Sequence, residues 1–132
     1  MPAVISQVRL QSSWEEIDRI REKSLEAFTE KLKEREGDNL LRVILFGSVA
    51  RGDSRKDSDL DVFVLVKKGE SFELGERIVG VAVDVELEEG NCKAHISPFI
   101  NTLKEYERGA KIGIPVFTSI EEEGIVLYDA EY

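Results

Sequence analysis

One cysteine, one histidine, one tryptophan and three prolines are all that a chain of 132 residues carries of those types. The lone Cys92 cannot close an internal disulfide or build a thiolate metal site. No apolar run approaches the roughly 18 residues needed to span a bilayer, and the N-terminus lacks the charged-then-apolar pattern of a secretion signal. A cytoplasmic location is therefore expected. Positive charge is also short: the formal net charge is −9, which argues against a protein whose main task is coating nucleic acid, since that binding runs on phosphate neutralisation. Repeats, low-complexity tracts and interdomain linkers are missing as well. With 42% hydrophobic residues, the length suits a single domain, residues 1–132, with its own core.

What is present centres on Leu40–Val66, LLRVILFGSVARGDSRKDSDLDVFVLV. An apolar run broken only by Arg42, which should reach an edge or pair with a carboxylate, ends at Phe46. Gly47-Ser48 interrupts it, about ten mostly polar residues follow, and a second apolar run starts at Leu60, so the segment reads as strand, turn, strand. Asp59 and Asp61 sit at the mouth of the second strand, where residues two apart share a face roughly 6.5 Å from each other. Carboxylates held that close repel unless they share a cation. Oxygen ligands suit Mg²⁺, or Mn²⁺ in its place, because such an ion takes one or two carboxylates plus substrate phosphates. Gly47 admits a close anion, Ser48 offers a hydroxyl, and the amides of the Ser48–Arg51 turn can face phosphate oxygens. The glycine spacing Gly47 to Gly52 is that of a P-loop, but Asp53-Ser54 stands where Lys-Ser/Thr is required. In this segment Arg42, Arg51, Arg55 and Lys56 balance Asp53, Asp57, Asp59 and Asp61, so a metal-bound nucleotide would be admitted and a long polyanion discouraged.

Gly47-Ser48-Val49-Ala50-Arg51-Gly52-Asp53 followed by Ser58-Asp59-Leu60-Asp61 resembles the signature of the minimal nucleotidyltransferases in the DNA polymerase beta-like superfamily. The resemblance implies a third carboxylate on a neighbouring strand. Ile78–Leu87, with Val81, Val83, Val85 and Leu87 alternating with Ala82, Asp84 and Glu86, reads as that strand. Asp84 is the preferred third acid and metal ligand, with Glu86 as the other choice. Arg51 would counter charge on pyrophosphate, or else pair at the surface with Asp53 or Asp57.

The rest of the chain supplies scaffolding. Met1–Gln11 reads as a terminal strand or an arm. Ser13 and Glu16 form a capping box for a helix whose stripe is Trp14, Ile17, Leu25, Phe28 and Leu32, ending at Gly37. Lys67–Gly75 reads as a turn or short hairpin. Ser97-Pro98 would start a helix reaching about Lys111, and Gly124–Tyr128 a last strand. His95 reads as structural or exposed, with a proton shuttle as the other reading. The expected fold is one α/β domain, a mixed sheet of four or five strands with helices mainly on one face. Its motif core is residues 40–87, followed by a C-terminal helix and strand over 97–128.

The resemblance implies Mg²⁺-dependent transfer of a nucleoside monophosphate, AMP from ATP, to an acceptor hydroxyl with release of pyrophosphate. Catalysis and metal binding would fall to Asp59, Asp61 and Asp84, and phosphate binding to Gly47, Ser48 and Arg51. It also suggests an antitoxin whose partner is a helical HEPN-domain toxin carrying the acceptor, with self-association as the other choice. A second class of reading is a non-catalytic module that neutralises or scaffolds its partner by contact.

Overall fold

A computed structural model describes residues 9–10, 19–53, 58–88 and 95–130. Five strands form one mixed sheet in the order β1-β5-β2-β3-β4. β2 (Leu40–Phe46) and β3 (Leu60–Val66) are its centre. They run antiparallel, with Phe46 opposite Asp61. β5 (Ile125–Asp129) lies antiparallel to β2, and β1 (Arg9–Leu10) parallel to β5. β4 (Ile96–Thr102) lies parallel to β3 at the edge, with Ser97 opposite Asp61.

Two long antiparallel helices cover the main face. α1 (Arg19–Glu36) sends Leu25, Phe28 and Leu32 into a core with Leu74, Ile78, Val81, Ala82 and Val85 of α3 (Ser71–Glu88). The sheet contributes Leu40, Val43, Leu45, Leu60, Val62, Val64 and Val66 to the same core. Glu36 and Arg77 clamp α1 to α3 through two bonds of 2.9 and 3.0 Å. The opposite face is not bare. α4 (Leu103–Lys111) and α5 (Pro115–Glu123) bring Tyr106, Phe117 and Ile120 against Leu41, Ile44, Phe63 and Leu65. Tyr106 and Phe117 meet edge to face at 5.1 Å. Gly109 makes that contact possible, because a Cβ there would fall 2.2 Å from the Phe117 ring.

Three sequence expectations change. Residues 78–87 are not a strand but the last part of α3. Leu74, Ile78, Val81, Ala82 and Val85 follow helical spacing into the core, whereas Phe72, Val79, Val83 and Leu87 are exposed. A helix apolar on both sides imitates alternation. Likewise, residues 96–102 form a strand rather than the first turns of a helix, and Pro98 is tolerated because β4 is an edge. The cap of α4 is Thr102: its hydroxyl accepts from the Glu105 amide while Glu105 accepts from the Thr102 amide. Finally, Lys67–Gly75 is not a hairpin, since α3 begins at Ser71.

Other expectations hold. Arg42, 4% exposed, pairs with Asp129. α1 carries the expected stripe, and β5 is the expected last strand. The capping box at Ser13 and Glu16, with Trp14 and Ile17, lies outside the described residues, as does Cys92. No helix among the described residues is long and apolar enough to cross a membrane.

Candidate active site

The site lies where β2 ends and β3 begins. After Phe46 the chain turns at Gly47, φ +80°, into the short α2 (Gly47–Arg51), which Gly52 ends at φ +81°. Val49 and Ala50 are buried and hold α2 against the sheet. Asp53 donates its amide to the Ser48 carbonyl at 3.1 Å, closing the turn. Asp61 then projects over this turn: a Cβ at Gly47 would lie 2.4 Å from Asp61 Oδ2. Both the positive φ and the close carboxylate require glycine here.

Asp61 is half-buried and Asp59, two residues back, is exposed. Burial, then the Asp59 charge, pushes the Asp61 carboxyl above the usual carboxylate range, while Arg51 pulls the other way. Asp61 shares its sheet face with Phe63 and Leu65, the α4/α5 side, and Ser97 stands beside it on β4. A like-charged pair with one member partly desolvated is relieved by a cation. Two carboxylates beside an open glycine turn are donors that a hard divalent ion takes together with phosphate oxygens. The residues present therefore fit a divalent ion carried by a nucleotide.

Arg51 donates to Asp53 at 3.2 Å and to Glu123 at 3.4 Å, so it ties α2 to the end of α5. Its expected surface pairing with Asp53 is present. It also stands near enough to Asp61 to favour that group's charged form.

Asp84 does not stand with the acidic pair in this structure. It lies on α3, on the other face of the sheet from Asp61, with its side chain 45% exposed and Arg35 at 3.5 Å. Helical rather than strand geometry turns it toward α1. Glu86, the other choice, accepts from the Ile96 amide at 3.3 Å and lies 3.1 Å from His95 Nδ1. Among the described residues no three His, Cys, Asp or Glu side chains stand where they could hold a metal. Two features escaped the sequence: the Glu86–His95 pair and Ser97 beside Asp61. Both depend on β4, whose alternating Ile96, Pro98 and Ile100 were the available signal.

His95 heads β4, and its carbonyl accepts from the Leu60 amide at 2.8 Å, between the two aspartates. The Glu86 bond raises its imidazole above the ordinary histidine value, partly offset by burial and aided by the Glu86 and Asp59 charges.

An acidic pair poised over a glycine turn, on a mixed sheet with helices on both faces, defines an α/β protein of the nucleotide-transfer class. The nucleotidyltransferase-domain family model matches residues 25–123, and the chain belongs to that family. It is 49% identical over 45 residues to "Putative protein adenylyltransferase MJ0141" of Methanocaldococcus jannaschii, a match covering 34% of this chain and 46% of the relative. The chain thus spans about half the length of that relative. A second M. jannaschii protein, "Putative protein adenylyltransferase MJ0604", is 28% identical over 109 residues, 81% of this chain and 97% of that one. The solved structure of "a putative nucleotidyltransferase from Sulfolobus solfataricus" shares the fold, with a TM-score of 0.50 at 19% identity over 91% of this chain and 89% of that one.

Proposed function

We propose that this nucleotidyltransferase transfers AMP from ATP to a hydroxyl of a partner protein in the cytoplasm, releasing pyrophosphate. The acceptor oxygen bonds to the α-phosphorus as the bond to the pyrophosphate oxygen breaks, and the hydroxyl proton leaves to water. The observation that carries the reading is the Asp61 carboxylate lying over the Gly47 backbone with Asp59 two residues away. In it, Asp59 and Asp61 hold a nucleotide-borne Mg²⁺, for which Mn²⁺ substitutes. Gly47 and Ser48 face the phosphates, and Arg51 lends positive charge beside them. When bound, the ion neutralises the triphosphate and stabilises the leaving oxygens. Similarity to proteins named as protein adenylyltransferases supports a protein acceptor. The family resemblance in the motif supports a helical, HEPN-type toxin in that role, with this chain as its antitoxin.

Calorimetric titration of Mg·ATP into the wild type and an Asp59→Asn/Asp61→Asn variant tests the site. Metal-dependent binding by the wild type, lost in the variant, is expected. Binding that survives in the variant, or needs no metal, overturns the assignment and leaves a module that acts on its partner by contact.

A further inference from the structure

The face of α3 turned away from the sheet is largely apolar and has no partner among the described residues. Phe72, Val79, Val83 and Leu87 are 69%, 45%, 47% and 74% exposed. They follow one another at spacings of seven, four and four residues, so they form a single stripe about 22 Å long. An exposed apolar strip of this kind on a surface helix, here interrupted by Glu76, marks an interaction site. The glycines of α3 add an independent observation. Gly75 and Gly80 flank the stripe inside the helix, where glycine costs about 1 kcal/mol relative to alanine. A Cβ at either meets nothing within 4 Å. Packing among the described residues gives no reason for either glycine; a second backbone approaching the stripe does.

Charge says what approaches. α3 carries five acids; Asp84 and Glu88 pair with Arg35 and Lys31 of α1 and Glu86 with His95, which leaves Glu73 and Glu76 beside the one cation of α3, Arg77, itself held by Glu36. Glu76 lies within the stripe's own arc. A second copy of the same face would set Glu76 and its neighbours against their equivalents, whereas a helix bordered by cations would complement them.

The stripe ends at the same end of the sheet as the acidic pair, on the opposite face. β3, α3 and β4 form a crossover that returns the chain to the end of the sheet where Asp59 and Asp61 sit. Leu87 ends the stripe one residue from Glu86, whose carboxylate binds the head of β4.

We propose that this face of α3 docks a helix of a second protein, one with an apolar seam bordered by lysine or arginine, and so brings that protein's acceptor hydroxyl to the acidic pair. The docking surface rests on the stripe and its charge; its purpose rests on the transfer reading above.

The test uses the full chain and two synthetic amphipathic peptides of about 20 residues with the same leucine seam, one bordered by lysine and one by glutamate. Affinity is read by fluorescence anisotropy, and the site by amide chemical shifts of Gly75 and Gly80. The lysine peptide should bind at least about tenfold tighter than the glutamate peptide and shift both glycine amides. Val79→Ser/Val83→Ser and, separately, Gly80→Gln should each weaken it about tenfold. Gly80→Gln should at the same time raise thermal stability, a split that a merely structural glycine would not give. Mg·ATP binding should be unchanged in both variants. Wild type that fails to bind Mg·ATP while these arms hold would sink the transfer reading and leave the docking surface standing.

Equal binding of the two peptides, binding by neither, unaltered affinity in the variants, or shifts confined to other elements would overturn the proposal. So would a wild-type dimer that Val79→Ser/Val83→Ser dissolves, which would give the face to a second copy. Peptide binding seen only after residues 1–8 are removed would give it to the chain's own N-terminal segment instead.

Discussion

Asp61 is held in a state that costs stability. Burial and the Asp59 charge raise its carboxyl, so the ionised form is penalised by folding. The penalty acts in full above the raised folded value, fades as pH falls from it toward the unfolded value of 3.8, and is absent below that. Asp61→Asn should therefore raise the melting temperature at neutral pH, by roughly 2–5 °C, while abolishing metal–nucleotide binding. Calorimetric melts with a parallel Mg·ATP titration check both halves, and a lower melting temperature would contradict the account. Gly47→Ala should do harm twice. Its φ of +80° costs a side-chain-bearing residue about 1–2 kcal/mol, and its Cβ would lie against Asp61 Oδ2. Denaturant unfolding should show at least that loss, with weaker nucleotide binding alongside.

At the scale of elements, legibility in the sequence followed the chemistry of each segment. β2, the Gly47 turn and β3 were readable because two apolar runs of strand length flank a glycine break, and the acidic pair came with them. α3 was not. Its inner residues fit the helical period, but Val79, Val83 and Leu87 on the outer face overlay a period of two on residues 79–87. The residues that hid the helix are those left exposed on its surface. Once α3 is a helix, Asp84 leaves the acidic pair and turns toward Arg35, so an error of element became an error of site. β4 was hidden for a different reason. Ser97-Pro98 has the chemistry of a helix start, and only pairing with β3 keeps it extended, a tertiary effect that local pattern does not carry. Glycines within helices make the contrast between packed and open faces measurable. Gly109→Ala would push a methyl into the Phe117 ring and should cost about 1–3 kcal/mol. Gly80→Ala meets nothing and should stabilise by about 1 kcal/mol. Urea unfolding of the two variants should move the midpoint in opposite directions.

For the whole molecule, the net charge of −9 is distributed so that cations tie elements together. Arg42 holds β2 to Asp129 at the end of β5, Arg51 holds α2 to α5, and Arg77 holds α3 to Glu36 at the end of α1. One of these ties and the lone histidine make stability depend on pH in opposite senses. Glu36, its side chain 1% exposed, is drawn below the ordinary carboxylate value by the Arg77 hydrogen bond, against the opposing pull of burial. Its contribution is present above the unfolded value of 4.5 and is lost as pH falls through the lower folded value. Glu36→Gln should thus destabilise at neutral pH, by about 1–3 kcal/mol, and progressively less in acid. His95 runs the other way. Its raised value comes first from the Glu86 bond, so the imidazolium contributes fully below the unfolded value of 6.5, and the contribution disappears as pH rises through the folded value. Its side chain is 57% exposed, so the effect is small and salt-sensitive. Because His95 is the only histidine, its ring carbon resonance reports the titration without ambiguity. The midpoint should lie above 6.5 in the wild type and fall in Glu86→Gln. His95→Gln should melt below the wild type in mildly acidic buffer and match it in alkaline buffer. A stability difference that grew with pH would mean that Glu86 does not hold the charged imidazole, and that the head of β4 is fixed by the Leu60–His95 backbone bond alone.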